Sequence, residues 1–276
     1  PNEMESLNIT HQRYFGVMGD HLVASLGFNH IMSQNLINPN GAVDDPKFKN
    51  NGINGQISLH YSDLKSHLHT RTMYYGIFLN NTLTMLQIED LQSNDRMDPA
   101  ATYFAVGVHD SINGVHSFSD FNVEAQIGLG IANINNPANL NAEPEYVLFK
   151  GSLHHTLALK DNSQVKFTLN AQYTNSNLLS QVMFSYGGMD LGRGYDPSTI
   201  NGDSGYAVGI EISKPYKLLS TMFVPYMFID MGYRMNTNMN SDYRDHAAST
   251  GFGTRLSFGK IHGDLFIGLP LDKDIP

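Results

Sequence analysis

Phe121-Asn122-Val123-Glu124-Ala125-Gln126-Ile127-Gly128-Leu129-Gly130-Ile131 alternates without a break: every odd position is apolar and every even one is polar or glycine. Successive side chains of an extended chain point to opposite faces, so this stretch is a strand with one greasy and one wet side. The same period returns downstream. Val165, Phe167, Leu169, Ala171 and Tyr173 oppose Lys166, Thr168, Asn170, Gln172 and Thr174. Tyr206, Val208, Ile210 and Ile212 oppose Ala207, Gly209, Glu211 and Ser213. Phe252, Thr254, Leu256 and Phe258 oppose Gly251, Gly253, Arg255, Ser257 and Gly259.

A soluble sandwich also alternates. Here the pattern runs for about 8 to 11 residues, longer than an ordinary strand and close to a membrane crossing. The polar rows carry Lys166, Gln172, Glu211 and Arg255, as a wet lumen would. Connectors are unequal: Leu178 to Ser204 is long, whereas Asp161-Asn162 and Lys217 to Leu219 are short. Long loops on one side and tight turns on the other mark an outer-membrane barrel. Further strands are expected at His21–Met32, Ile53–Asp63, Met73–Leu79, Thr82–Glu89, Thr102–His109, Tyr146–Leu159, Met222–Met235 and Ile261–Leu269, about twelve in all. Ser33 to Gly52 reads as a surface loop. No helix is expected, and the fold class is all-β: a transmembrane antiparallel β-barrel.

Composition agrees with that class. The 276 residues suffice for one large all-β domain, and no internal boundary or repeat is evident. A formal charge of −9 argues against nucleic acid as a partner, since phosphate binding needs clustered Lys and Arg. The chain has no Cys, which removes disulfides, zinc-thiolate sites and thiol nucleophiles. No apolar run is long enough for a membrane helix, a test that barrels escape because their strands alternate.

The candidate site is a loop. Gly192-Arg193-Gly194-Tyr195 is followed by a polar run and then by Gly202-Asp203-Ser204-Gly205, just before the Tyr206 strand. Farther on, Phe228-Ile229-Asp230-Met231-Gly232 sets Asp230 on the polar side of a strand, in a row with Phe228 and Gly232. An arginine in a long loop and an aspartate facing a lumen suggest a loop folded inward and held by an ion pair. In a hydrated lumen such a pair contributes only about 1 kcal/mol, and more where the folded loop shields it. Glycines at 192 and 194 would let the loop turn tightly, and Tyr195 would pack it against the wall. Gly209, Gly232, Gly251 and Gly253 would leave room for its tip. Gly202, Asp203 and Gly205 read as turn chemistry, with the aspartate capping backbone amides.

Other motifs carry less. Gly202-Asp203-Ser204-Gly205 resembles a serine-protease nucleophile segment, but Tyr206-Ala207 follows it and no catalytic histidine segment precedes it. Gly187-Gly188-Met189-Asp190-Leu191-Gly192-Arg193-Gly194 lacks the Lys-Ser/Thr of a phosphate loop. His67-Leu68-His69 puts two imidazoles on one strand face and His154-His155 puts them on opposite faces, neither with carboxylates completing a metal site. No catalytic residue, metal or cofactor is expected.

The segment from Tyr146 to Leu271 resembles the C-terminal barrel of two-partner secretion transporters, a branch of the BamA-like superfamily. The resemblance rests on ordered landmarks: Phe184-Ser185-Tyr186-Gly187-Gly188, the Gly192–Tyr195 motif, Gly202-Asp203-Ser204-Gly205-Tyr206, Pro225 to Gly232, Gly251-Phe252-Gly253-Thr254-Arg255-Leu256, and Gly268-Leu269-Pro270-Leu271. It implies a pore in the outer membrane of a Gram-negative bacterium that exports a large β-helical partner, and it places Arg193 inside the barrel, paired with Asp230. One departure is Gly192, where the family has a hydrophobic residue; that change is expected to loosen the loop tip. The resemblance also implies sixteen strands and preceding periplasmic POTRA domains. On that basis residues 1–276 are expected to be a partial barrel domain, lacking those domains and the last strand, with any signal peptide already removed. An assembly factor of the same superfamily, a passive porin or adhesin barrel, and a soluble ligand-binding β protein remain as alternatives.

Overall fold

The computed structural model describes residues 3–15, 20–34, 47–66, 68–87, 94–97, 100–130, 142–179, 181–218, 221–237 and 244–272. Its strands are β1 (Glu3–Tyr14), β2 (His21–Gln34), β3 (Lys47–Ser66), β4 (His69–Gln87), β5 (Asn94–Met97), β6 (Ala100–Asn113), β7 (Ser117–Gly128) and β8 (Val147–Ala158). They continue with β9 (Gln164–Thr174), β10 (Phe184–Tyr186), β11 (Ile200–Gly202), β12 (Ser204–Ser213), β13 (Tyr216–Leu218), β14 (Thr221–Met235), β15 (Arg244–Phe258) and β16 (Ile261–Pro270). The main sheet runs β1-β2-β3-β4-β6-β7-β8-β9-β12-β14-β15-β16, with β5 added to β4 and β13 to β14. Every pairing is antiparallel between chain neighbours, the meander of a barrel wall.

The two faces differ as the period of two demands. On β14, Met227, Ile229 and Met231 are 62%, 47% and 52% exposed, while Phe228 and Asp230 between them are 4% and 0% exposed. Large apolar side chains stand outward along the whole wall, among them Leu7, Ile57, Tyr75, Val123, Phe149, Ile210, Phe252 and Ile267. A surface this apolar is suited to lipid. Tight turns join β3 to β4, β6 to β7 and β15 to β16 at one end of the wall; the long connections leave from the other.

The connection from β9 to β12 does not stay outside. It folds onto the inner face and forms two buried clusters. Leu178, Leu179 and Val182 pack on Ala101, Tyr146 and Leu148 of the β6–β8 side. Phe184, Tyr186, Leu191 and Ile200 pack on Ala207 and Ala247 of the β12–β15 side. Within this segment β10 and β11 pair as a small hairpin of their own.

Three expectations need correction. A single strand, β4, replaces the two expected at Met73–Leu79 and Thr82–Glu89, because Asn80 and Asn81 keep their places in the ladders to β3 and β6. Strand β1 has no counterpart in the sequence reading: its outer row holds only Leu7 and Ile9 as apolar residues before His11 and Arg13, too short a signal to register. The Ser33–Gly52 loop is also shorter, since Ser33 and Gln34 close β2 and Lys47 opens β3; residues 35–46 lie outside the described residues.

The two faces should respond oppositely to charge. Ile229→Arg, on the outer row, should cost about 2–4 kcal/mol of folding into a bilayer. Asn170→Arg, on the inner row of β9, should stay within about 0.5 kcal/mol of the parent. Reversible denaturant titration in lipid measures both, and equal costs would contradict the assignment of faces.

Candidate functional site

The site is the contact between the inward loop and the wall. Gly187, Gly188 and Gly192 take φ of 114°, 118° and 82°, turning the chain back after β10. At Gly192 no other residue fits: the φ is left-handed, and a Cβ would meet Gly187 backbone at 2.8 Å and the Tyr186 ring at 2.9 Å. The bare backbone lets the Gly192 and Arg193 N–H groups both donate to Asp230 Oδ2, at 3.1 and 3.2 Å. Gly192 therefore tightens the loop rather than loosening it, which corrects the expectation drawn from the family pattern.

Arg193 reaches the wall with each of its three guanidinium nitrogens donating to a carboxylate. Nε and Nη2 hold Asp230 Oδ2 and Oδ1 at 3.0 and 2.9 Å, and Nη1 donates to Glu211 Oε2 at 2.6 Å. Its guanidinium lies 3.6 Å over the Phe228 ring. Glu211 also accepts from Arg255 Nη1 and Nη2 at 2.8 and 3.0 Å. Arg255 Nε in turn donates to Asp264 Oδ2 at 3.3 Å, and Tyr226 Oη donates to Asp264 Oδ1 at 2.7 Å. One chain of charges thus ties the loop to β12, β14, β15 and β16. The Arg193, Glu211 and Asp230 side chains are 7%, 6% and 0% exposed, so of the two cases foreseen from sequence it is the loop-shielded pair that the structure holds. Burial works against the charge on Arg193, but the hydrogen bonds it donates to Asp230 and Glu211 outweigh it and hold its pKa above the ordinary value. Removing one partner of such a buried pair costs about 3–5 kcal/mol, because the other charge is left alone.

Past the arginine, the loop tip is clamped to the last strands. Tyr195 Oη donates to the carbonyls of Ala248 and Asp272 at 3.0 and 3.2 Å. The Asp272 carboxylate accepts from the Ala248 N–H at 2.8 Å. A Cβ on Gly194 would lie 2.8 Å from Leu269, Pro270 and Ser249 atoms, so the backbone itself touches β15 and β16 here.

The inward glycines act as sockets. The Tyr186 ring sits on Gly232, Phe184 on Gly205 and Leu191 on Gly209. Gly251 and Gly253 do not serve the loop tip as expected; they face the rings of Phe228 and Tyr226 from the neighbouring strand. Gly202 ends β11 and Gly205 lies in β12, with Asp203 buried between them. Asp203 does cap amides, but distant ones: Oδ1 accepts from Leu178 N–H at 2.8 Å and Oδ2 from Thr237 N–H at 2.9 Å, so it staples three connections rather than one turn. Ser204 is buried and spends its hydroxyl on the Thr174 carbonyl at 3.1 Å. Of the histidines weighed for metal binding, His69 pairs with Asp110 at 3.2 Å and His155 bonds Ser119 at 2.8 Å; His67 lies outside the described residues.

The family model of haemolysin secretion/activation proteins ShlB/FhaC/HecB matches residues 34–256. The chain belongs to this haemolysin secretion/activation family. No curated protein sequence matches it. Among solved structures it is similar to CdiB from Acinetobacter baumannii, with a TM-score of 0.76 at 19% identity over 100% of this chain and 48% of that one. It is similar to CdiB from Escherichia coli, with a TM-score of 0.77 at 14% identity over 98% of this chain and 49% of that one. BamA from Haemophilus ducreyi lacking POTRA domains 1–3 gives 0.64 at 15% identity, over 98% of this chain and 59% of that one. At these identities the likeness is one of fold, and the chain spans about half the length of the CdiB structures it matches.

Sequence reasoning brought Arg193, Asp230, Phe228, Gly232 and Tyr195 to one place and left out their neighbours in this family member. Glu211 and Arg255 were visible only as charges on inner rows, and Asp264 gave no signal at all. The available clue was register: Glu211 stands opposite Phe228 on β14, and Arg255 opposite Asp264 on β16. Two charged residues directly across a ladder and on the inner row are candidates for pairing.

Arg193→Ala should lower stability by about 3–5 kcal/mol by leaving the buried Asp230 carboxylate without its cation. Gly232→Val should push the Tyr186 ring off its socket and expose the Gly187–Gly194 segment to protease while the wall stays paired. Denaturant midpoints and limited proteolysis of the inserted barrel report the two effects separately.

Proposed function

We propose that the full-length protein carrying this barrel is an outer-membrane translocator of two-partner secretion, exporting a large partner polypeptide from a Gram-negative cell. The observation that carries this reading is the loop latched across the inner face by Arg193. A lumen closed by a segment on a defined, breakable bond network suits a conduit that opens for a client better than a steady solute pore. Membership of the haemolysin secretion/activation family supports a protein client.

In this mechanism the partner arrives unfolded from the periplasm, captured by POTRA domains preceding the barrel, and leaves through the lumen. No nucleotide drives the step; folding of the partner outside, into a β-helix, makes movement one-way. Arg193 with Asp230 and Glu211 anchors the loop, Tyr195 fixes its tip to β15 and the Asp272 segment, and Gly192 and Gly194 permit the close approach. The contribution of the wall is binding and gating, with no bond chemistry, cofactor or nucleic acid. The outer row meets lipid throughout.

The likeness to BamA favours a second reading, insertion of other barrels, but its TM-score is below both CdiB scores. Comparing secreted and surface proteins of the source cells with and without the full gene separates them. Loss of one large secreted protein is expected; a general loss of outer-membrane barrels would favour assembly, and no change would overturn both. In the same cells Arg193→Ala should cut secretion of that protein while the barrel still inserts, and undiminished secretion would remove the latch from the mechanism.

A further inference from the structure

A second organised surface lies on the inner face, away from the latch. Tyr14, His21, His60 and Tyr74 are successive register partners on β1, β2, β3 and β4. Their rings are 5.2, 4.8 and 5.6 Å apart, and the last two contacts are stacked. Tyr74 lies down on Gly107, where a Cβ would collide with the ring. Its hydroxyl donates to Glu124 Oε2 at 2.6 Å.

The row then continues in the same register to Lys150 and Gln172. It is a diagonal. Tyr14 ends β1 and His21 opens β2, at the end of the wall that carries the tight turns, whereas Gln172 stands near the opposite end of β9. Cross-strand neighbours climb a wall whose strands are tilted, so a register row is a ramp from one mouth to the other. The upper end of this ramp touches the plug: Gln172 Nε2 donates to the carbonyls of Val182 and Asp203 at 2.9 and 3.0 Å. The side chains under the plug's two clusters come from β6–β8 and β12–β15, and the four rings belong to neither.

We propose that this ring-stepped row is the track on which the exported polypeptide lies, extended, between the tight-turn mouth and the plug. The inference rests on the translocator reading and names a contact surface within it. Flat rings take peptide groups and side chains of any sequence by stacking and cation–π contact, with no demand for a fixed partner. Glu124 and Lys150 add one charge of each sign. At its upper end the row already binds polypeptide, since the carbonyls Gln172 holds are those of an irregular loop segment. An extended chain offers the same carbonyls.

The test uses the full-length protein in the source cells. A photoreactive p-benzoylphenylalanine at position 60 or 74 should crosslink to the protein whose secretion is lost when the gene is deleted. The same probe at Ser257, on the inner row of β15 across the sheet from the rings, should not. Removing the rings together (Tyr14→Ala, His21→Ala, His60→Ala, Tyr74→Ala) should slow export by roughly tenfold, the scale of a few modest ring contacts acting on one chain. Replacing His21 and His60 with Phe, which keeps the steps, should restore it. Full-rate export by the ringless barrel, or equal crosslinking at Ser257, would overturn the track while leaving the translocator reading intact. If deleting the whole gene loses no secreted protein, the translocator reading falls with it.

Discussion

The desolvated guanidinium of Arg193 sets the terms for everything around it. A cation taken out of water needs matched acceptors on every side, and here two carboxylates from different strands supply them. Those carboxylates must be satisfied in turn. Asp230 gathers backbone N–H groups from Gly192 and Arg193 besides the side chain itself. Glu211 recruits Arg255, and Arg255 leans on Asp264. The demand propagates outward until it reaches Asp264, which is more than one-third exposed and can be finished by water. Glycines on both sides of the contact follow from the same demand, since hydrogen-bonding distance between a loop backbone and a strand leaves no room for Cβ atoms.

The wall does two unlike jobs with one alternating code. Its outer row is uniform, and almost any apolar residue serves there, because lipid asks only for area. Its inner row is individual: a socket here, a charge there, a ring elsewhere. This asymmetry explains why outer positions can be read collectively and inner ones must be read one at a time.

That difference also governs how much was legible in the chain. Periodicity alone placed Asp230 inward and Met231 outward, and the unequal connectors oriented the wall. It failed where the outer row was short, at Leu7 and Ile9, and where asparagines imitated a turn, at Asn80 and Asn81. In the site, the motif drew attention to Arg193 and Asp230. What it could not convey was depth of burial, which depends on how the plug packs over them, or the long reach of Asp203 to Leu178 and Thr237. Such contacts are set by how the loop packs across the curved sheet, and no local pattern encodes them.

The clamp of Tyr195 on Asp272 joins residues 77 apart in sequence, and the Arg193 bonds to Asp230 span 37. The loop is therefore synthesised long before most of its anchors exist. Until β14 stands in register beside β12, Arg193 lacks Asp230, and until β15 is in place Tyr195 lacks the Ala248 carbonyl. Locking the loop is thus a late event in maturation, and a wall mispaired at its last strands would remain unlocked. The buried ion network then doubles as a built-in inspection step: only a correctly completed hairpin at the C-terminal side can close it.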